Sequence, residues 1–229
     1  MKLFRHPARA VICAFRSHPD SLSQIVDTTL CEAFHSLGPS PERVVVNYLQ
    51  GMVLFGEHQS STLTWKTFAE RSVITAQSAH IPKRLKTYMA SGEFTVRINS
   101  DFEAVLYATQ RDAGTWISPE LADIYRRLHS MGFVDTVEVY RNEELVGGLW
   151  GLRIGRSHGL MSMFHRVDRG GAIALGMLVA KVQNGSIHMI DCGKQNANFA
   201  RYGAHPIPRE LFIDLLVRGL VAKEAPASQ

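Results

Sequence analysis

Long apolar runs, paired cysteines and metal-ligand spacings are all missing from this sequence, and each absence removes a class of protein. No stretch approaches the roughly 18 uninterrupted apolar residues that a bilayer-spanning helix requires, so no membrane partner is expected. Cysteine is scarce: Cys13, Cys31 and Cys192 stand far apart, without the count and spacing of a disulfide framework or a zinc site. All three are expected to be reduced. The ten histidines show no ligand spacing, so no metal is expected, and His158, His165 and His188 read as packing or surface residues. Ser162 lacks the surroundings of a nucleophile elbow. No internal repeat occurs, and low complexity is confined to the tail, 225–229.

Acids are absent before Asp20, where Lys2, Arg5, Arg9 and Arg16 surround the short apolar run 10–15. That run is too short for a secretory signal; an organelle transit peptide is the alternative to the cytoplasmic location expected here. With 45% hydrophobic and 20% charged residues among 229, the chain is an ordinary globular one that can form one large or two small domains. A formal charge of +4 suits a polyanionic partner, but where the cations sit matters more than their sum.

Apolar positions Leu22, Ile25, Val26, Leu30 and Phe34 recur at helical spacing, and Gly38 stops that helix. Ser40-Pro41-Glu42 supplies an N-cap, a first-turn proline and an early acid for a second helix reaching about Gly51. A surface loop is expected over 56–64, then a segment ending in the basic run Lys83-Arg84-Leu85-Lys86. Alternation predicts a strand over 94–98, and Ser100-Asp101-Phe102-Glu103 opens a helix to about Arg111. Ser118-Pro119-Glu120 starts another helix, closed by Gly132. Strands over 136–140 and 145–154 flank the turn Arg141-Asn142-Glu143-Glu144 as an antiparallel hairpin. A helix over 171–183, a strand over 187–191 and a helix over 208–221 complete an α+β series, with a domain division placed near residue 90, giving 1–90 and 91–229.

Six blocks follow one another in the second half: Gly114-Thr115-Trp116-Ile117-Ser118, Leu128-His129-Ser130-Met131-Gly132, Thr136 to Tyr140 with Glu144-Leu145-Val146-Gly147-Gly148-Leu149-Trp150-Gly151, Ser162-Met163-Phe164, Ile190-Asp191-Cys192, and Gly203-Ala204-His205-Pro206-Ile207-Pro208-Arg209. In order and spacing the set resembles the leucyl/phenylalanyl-tRNA-protein transferases. A thinner likeness runs upstream through Pro41-Glu42-Arg43, Gln50-Gly51-Met52 and His80-Ile81-Pro82-Lys83-Arg84-Leu85. The resemblance implies a small N-terminal α/β domain joined to a C-terminal acetyltransferase-like (GNAT) domain. It also implies transfer of leucine or phenylalanine from aminoacyl-tRNA to the α-amino group of an acceptor protein whose N-terminus is Arg or Lys, feeding N-degron protein degradation. No cofactor is implied, and a monomer is expected.

Residue by residue, the resemblance assigns tRNA contacts to Lys83, Arg84 and Lys86. It assigns an aminoacyl and adenosine pocket to Trp65, Trp116, Leu149, Met161, Ser162, Met163, Phe164 and Gly193, and a proton acceptor to Asp191. The chain departs from the pattern in three places. The family's Asp-x-Gln reads Asp191-Cys192-Gly193, its Gly-Glu-Ser-Met-Phe reads Leu160-Met161-Ser162-Met163-Phe164, and its Trp-Trp-Ser-Pro-Asp-Pro-Arg reads Trp65-Lys66-Thr67-Phe68-Ala69-Glu70-Arg71. Gln195 or His158 is then a substitute for the missing glutamine in handling the proton. An aminoacyl ester is already activated, so holding ester and amine together supplies much of the rate. Two other readings stay open: an adaptor that keeps the pocket for a peptide or RNA without turnover, and an acyl-CoA-dependent N-acyltransferase with Arg166 to Ala172 as a phosphate-binding helix start.

Overall fold

A computed structural model describes residues 39–56, 62–110 and 115–221. The expected helix over 20–34, Gly38, the basic N-terminal segment, Cys13, Cys31, Gly114 and the tail lie outside the described residues. Both Ser-Pro-Glu signals start helices. Ser40 accepts a hydrogen bond from the Arg43 N–H at 3.2 Å to open α1 (Pro41–Tyr48), and Ser118 accepts from Leu121 N–H at 3.3 Å to open a longer helix (Pro119–Ser130). In each the proline occupies a first-turn position whose N–H would have no partner anyway.

After α1 come strands β1 (Met52–Gly56), β2 (Leu63–Thr67) and β3 (Glu70–Thr75), helix α2 (Lys83–Met89), strand β4 (Thr95–Ile98) and helix α3 (Phe102–Thr109). Helix α4 is Pro119–Ser130; β5 (Val134–Arg141), β6 (Glu144–Ile154), β7 (Ser157–His165), α5 (Gly170–Gln183) and β8 (Met189–Asp191) follow. The short α6 (Ala197–Ala200), β9 (His205–Pro208) and α7 (Arg209–Val221) close the described chain, an α+β architecture as the sequence predicts. The β5–β6 hairpin turns on Asn142 and Glu143, both at positive φ, the backbone that a tight two-residue connection requires. Of the expected 56–64 loop, 57–61 lie outside the described residues, while Gly56, Leu63 and Thr64 belong to β1 and β2, which pair antiparallel as a small two-stranded sheet.

A seven-stranded sheet in the order β4-β5-β6-β7-β8-β3-β9 organises everything else. Its pairings are antiparallel apart from β7 with β8. The division expected near residue 90 is crossed by this sheet, since β3 precedes it and pairs with β8 and β9, which follow it. Two apolar cores form. One gathers Tyr48, Leu54, Tyr125, Trp150 and Phe212 from α1, β1, α4, β6 and α7; the other gathers Leu85, Val137, Leu149, Leu175 and Ile190 from α2, β5, β6, α5 and β8. Adjacent β6 residues Leu149 and Trp150 fall in different cores, as period-two alternation dictates.

The parallel pair positions the site. Register holds only at Ser157↔Met189, His158↔Ile190 and Gly159↔Asp191. Beyond Asp191 the chain stays with β3, through Cys192 N–H to Ser72 C=O and Ser72 N–H to Gly193 C=O, both 2.8 Å. β7 meanwhile continues along β6 to His165. The two strands therefore part, and a gap opens at their carboxyl ends, the place where open sheets containing parallel strands commonly receive ligands.

Candidate active site

A cavity of about 380 Å³ occupies that gap, lined by Val53 and Phe55 of β1, Lys66 of β2, Phe68, Arg71, Trp116, Leu160 and Met161 of β7, and Cys192, Gly193 and Lys194. A β-bulge explains why two successive β7 residues reach it. Trp150 pairs with Ser162 and Gly151 with Leu160, so Met161 is the extra residue and the normal alternation of sides breaks there. Phe55 packs against Trp116 with ring centroids 5.2 Å apart, and Trp116 stacks on Trp150 at 6.3 Å. The Gly56 N–H donates to the Trp116 carbonyl at 3.1 Å, fixing the tryptophan to the end of β1. The result is an aromatic and thioether wall facing a rim of cations.

Asp191 lies behind the wall rather than in it, with 1% of its surface exposed. Its Oδ1 accepts from Arg71 Nε at 3.1 Å and from Gly193 N–H at 2.9 Å, while Oδ2 accepts from Tyr48 Oη at 2.7 Å and from Arg71 Nη2. All its strong acceptor directions are thus in use. Burial alone would lower the pKa of Arg71, but the Asp191 carboxylate outweighs it and the guanidinium is held charged. Burial first, and the Asp191 charge second, push Tyr48 well above the usual phenol range, so it stays a donor. Gly193 sits at φ +71, a left-handed backbone that suits glycine, and this turn aims its N–H back at Asp191.

The structure brings Trp116, Met161 and Gly193 of the expected pocket to one cavity and separates the others. Leu149 is fully buried in the second core, and Phe164 is buried against the first. Met163 lines a different depression beside the start of α5, together with His165 and Arg169. Trp65 and Ser162 are partly buried, Trp65 packing against the first core. The reason is β-strand parity: outside the bulge, neighbours in sequence face opposite sides. Gln195 is tied by its side chain to Ser72 Oγ and the Ala204 carbonyl, and His158 lines another cavity of about 170 Å³. Neither meets the site as a free base. Sequence reasoning missed Tyr48 and Phe55; it held Lys66, Phe68 and Arg71 only as members of an altered block. Where the resemblance places a carboxylate, Met161 Sδ accepts from Tyr125 Oη at 3.5 Å. Lys83, Arg84 and Lys86 are all exposed on α2, around the buried Leu85.

Fold and cavity together define an α+β protein that can hold an extended ligand with apolar and anionic parts. Residues 73–217 match the family described as leucyl/phenylalanyl-tRNA protein transferase, and the chain belongs to that family. It is similar to the leucyl/phenylalanyl-tRNA--protein transferase of Maridesulfovibrio salexigens, 33% identical over 187 residues, or 79% of this chain and 78% of that protein. The corresponding protein of Dechloromonas aromatica is 36% identical over 178 residues, 75% of each chain. Among solved structures, a GCN5-related N-acetyltransferase from Kribbella flavida overlaps 70% of this chain and 58% of its own at 13% identity and a TM-score of 0.38. So low a score gives that overlap no weight. Among the described residues no helix is long and apolar enough to cross a membrane, and no group of side chains could hold a metal ion.

Proposed function

We propose that this protein transfers a leucyl or phenylalanyl group from aminoacyl-tRNA to the N-terminal α-amino group of an acceptor protein. The observation that carries the reading is the cavity at the parting of β7 and β8: apolar and aromatic on one wall, cationic at its edge, and backed by the buried Arg71–Asp191 pair. Trp116 offers a stacking face for the terminal adenosine, and Leu160 and Met161 offer apolar surface to the aminoacyl side chain. Lys83, Arg84 and Lys86 meet tRNA phosphates. In this reading the protein acts as a cytoplasmic monomer, and the new N-terminal residue marks the acceptor for degradation.

The chemistry balances without an external group. The amine nitrogen attacks the ester carbonyl carbon, a C–N bond forms, and the C–O bond to the ribose breaks. The ribose oxygen takes up a proton as the nitrogen gives one up. What the protein must add is position. Asp191 acts as a positioning residue: it holds Arg71 and the Gly193 turn in place at the cavity wall, and with every lone pair engaged it does not itself take the proton.

The test is transfer of labelled leucine and phenylalanine from their tRNAs to peptides that differ in their first residue. Product is expected with the parent chain. Trp116→Ala should weaken use of the aminoacyl-tRNA on the order of tenfold, the scale of one lost base stack. Asp191→Asn keeps the shape but loses the charge that orders Arg71, and should lower kcat. Binding of tRNA and peptide without any product would overturn the reading in favour of an adaptor.

A further inference from the structure

The segment from Arg166 to Ala172, whose sequence suggests a phosphate-binding helix start, borders a groove separate from the cavity above. Two adjoining depressions of about 310 and 200 Å³ make up this groove, with Arg169, Ala172, Arg201 and Tyr202 common to both. It runs between α2, the start of α5 and the turn after α6, over the second core. Every lining residue and its chain neighbours are among the described residues. Met163 and His165 at the carboxyl end of β7 line one side, and Asn198 to Tyr202, which follow β8, line the other. Groove and Trp116 cavity therefore both border the stretch where β7 and β8 part.

Three guanidinium groups line the groove, those of Arg84, Arg169 and Arg201, against one carboxylate, Asp168. None of the three arginines forms an ion pair among the described residues. Arg169 is also held in place. Its Cζ lies 3.9 Å from the centre of the Tyr88 ring, a cation–π contact that ties α2 to the start of α5. Its backbone is left-handed at φ +73, an uncommon conformation for a residue with a side chain. Gly170 beside it packs so closely on β6 that an added Cβ would lie 2.6 Å from the Val146 carbonyl oxygen, so the sheet fixes the arginine's position.

Cations interleaved with aromatic rings, here Tyr88, Phe199 and Tyr202, suit a single strand of nucleic acid, with phosphates on the cations and bases on the rings. Depressions of this size admit nucleotides singly and exclude a duplex. Arg84 belongs as well to the exposed basic run of α2, so the groove continues the surface assigned above to tRNA. A small ligand such as coenzyme A offers similar phosphates but leaves that continuity unused. We propose that Arg169 and Arg201, together with Arg84, grip the phosphates of the unpaired 3′ end of the aminoacyl-tRNA and lead it to the parting of β7 and β8. The inference rests on the transfer reading above.

Filter binding of leucine tRNA to the whole chain, over roughly 50 to 200 mM salt, tests the contact. Arg169→Gly combined with Arg201→Ala removes two cations, and glycine suits the left-handed backbone at 169. At about 0.7 per phosphate of a single strand, the slope of log affinity against log salt should fall by about 1.4. Near roughly 0.1 M salt, KM for leucyl-tRNA should rise on the order of tenfold, while kcat and the KM for the peptide stay at the parent's values. Arg169→Lys with Arg201→Lys keeps both charges and should restore most of the slope. On a tRNA trimmed of its unpaired 3′ nucleotides, parent and neutral variant should show the same slope. A parent-like slope in the neutral variant on intact tRNA would overturn the proposal. So would a lower urea midpoint as its only change, which would make Arg169 a packing residue on Tyr88. A difference that persists undiminished on the trimmed tRNA would place the arginines on the duplex and also overturn it. Coenzyme A binding that the neutral variant loses, with tRNA binding intact, would give the groove to a small phosphate ligand instead. If the slope falls as expected but the parent makes no product with any peptide, the groove stands and the transfer reading falls.

Discussion

His158 is 2% exposed on β7, and neither of its ring nitrogens has a hydrogen-bond partner among the described residues. Burial first pushes its pKa down from 6.5 to about 4; Arg153 and Lys181 push the same way, against the pull of Asp135 and Asp191. Between those two values the unfolded chain binds a proton that the folded chain refuses. The resulting stability is complete above pH 6.5 and is lost as pH falls through this interval towards 4, on the order of 3 kcal/mol. Replacing the imidazole in His158→Leu should flatten the pH dependence of the urea midpoint between pH 6.5 and 4.5 while leaving the dependence below pH 4 to the carboxylates. An unchanged slope would remove His158 as its source. The sequence left His158 open as a packing or a surface residue, and the structure buries it. The commitment of Asp191 was not legible there, because its partners Arg71 and Tyr48 lie 120 and 143 positions away, and only strand pairing of β3 with β8 brings the first of them alongside.

Helix α4 shows what local sequence does dictate at the level of an element. Its cap, first-turn proline, early acid and closing glycine were all readable, and the helix follows them to within a residue. It matters to the site because it carries Tyr125, which packs on Trp150 at 4.6 Å and donates to Met161. Ser118→Ala removes the hydrogen bond to the Leu121 N–H in a buried setting and should cost about 1 kcal/mol. The urea midpoint should fall with an unaltered m-value, since the surface exposed on unfolding does not change; a midpoint within error of the parent would show that the cap is idle. Strands β1, β2, β3, β7 and β9 escaped notice for the opposite reason. β7 reads Ser-His-Gly-Leu-Met-Ser-Met-Phe-His, with no clean alternation, and its bulge at Met161 shows only in its pairing with β6. The same bulge separates the expected pocket residues, because it sends Leu160 and Met161 to the cavity while Phe164 returns to the core.

Over the whole molecule, the fold decides which of many cations remain available to a polyanion. Among the other cations, Arg126 is paired with Glu103 and Asp123, Arg153 with Asp135, and Arg156 donates to the Gly185 carbonyl. Lys83, Arg84 and Lys86 on α2 stay exposed, with no ion pair among the described residues. The sheet places this helix on the second core against α5, so a strand of RNA lying on α2 would be held by the same rigid body that carries β7 and β8. Each phosphate a cation neutralises contributes roughly 0.7 to 0.9 to the slope of log affinity against log salt. Replacing all three by alanine should therefore lower the tRNA-binding slope by about two to three, measured by filter binding over roughly 50 to 200 mM salt. The urea midpoint should hardly move, since Leu85 keeps the buried contact. A parent-like slope in the triple variant would take the RNA off α2 and leave the cations at the cavity rim as its electrostatic anchor.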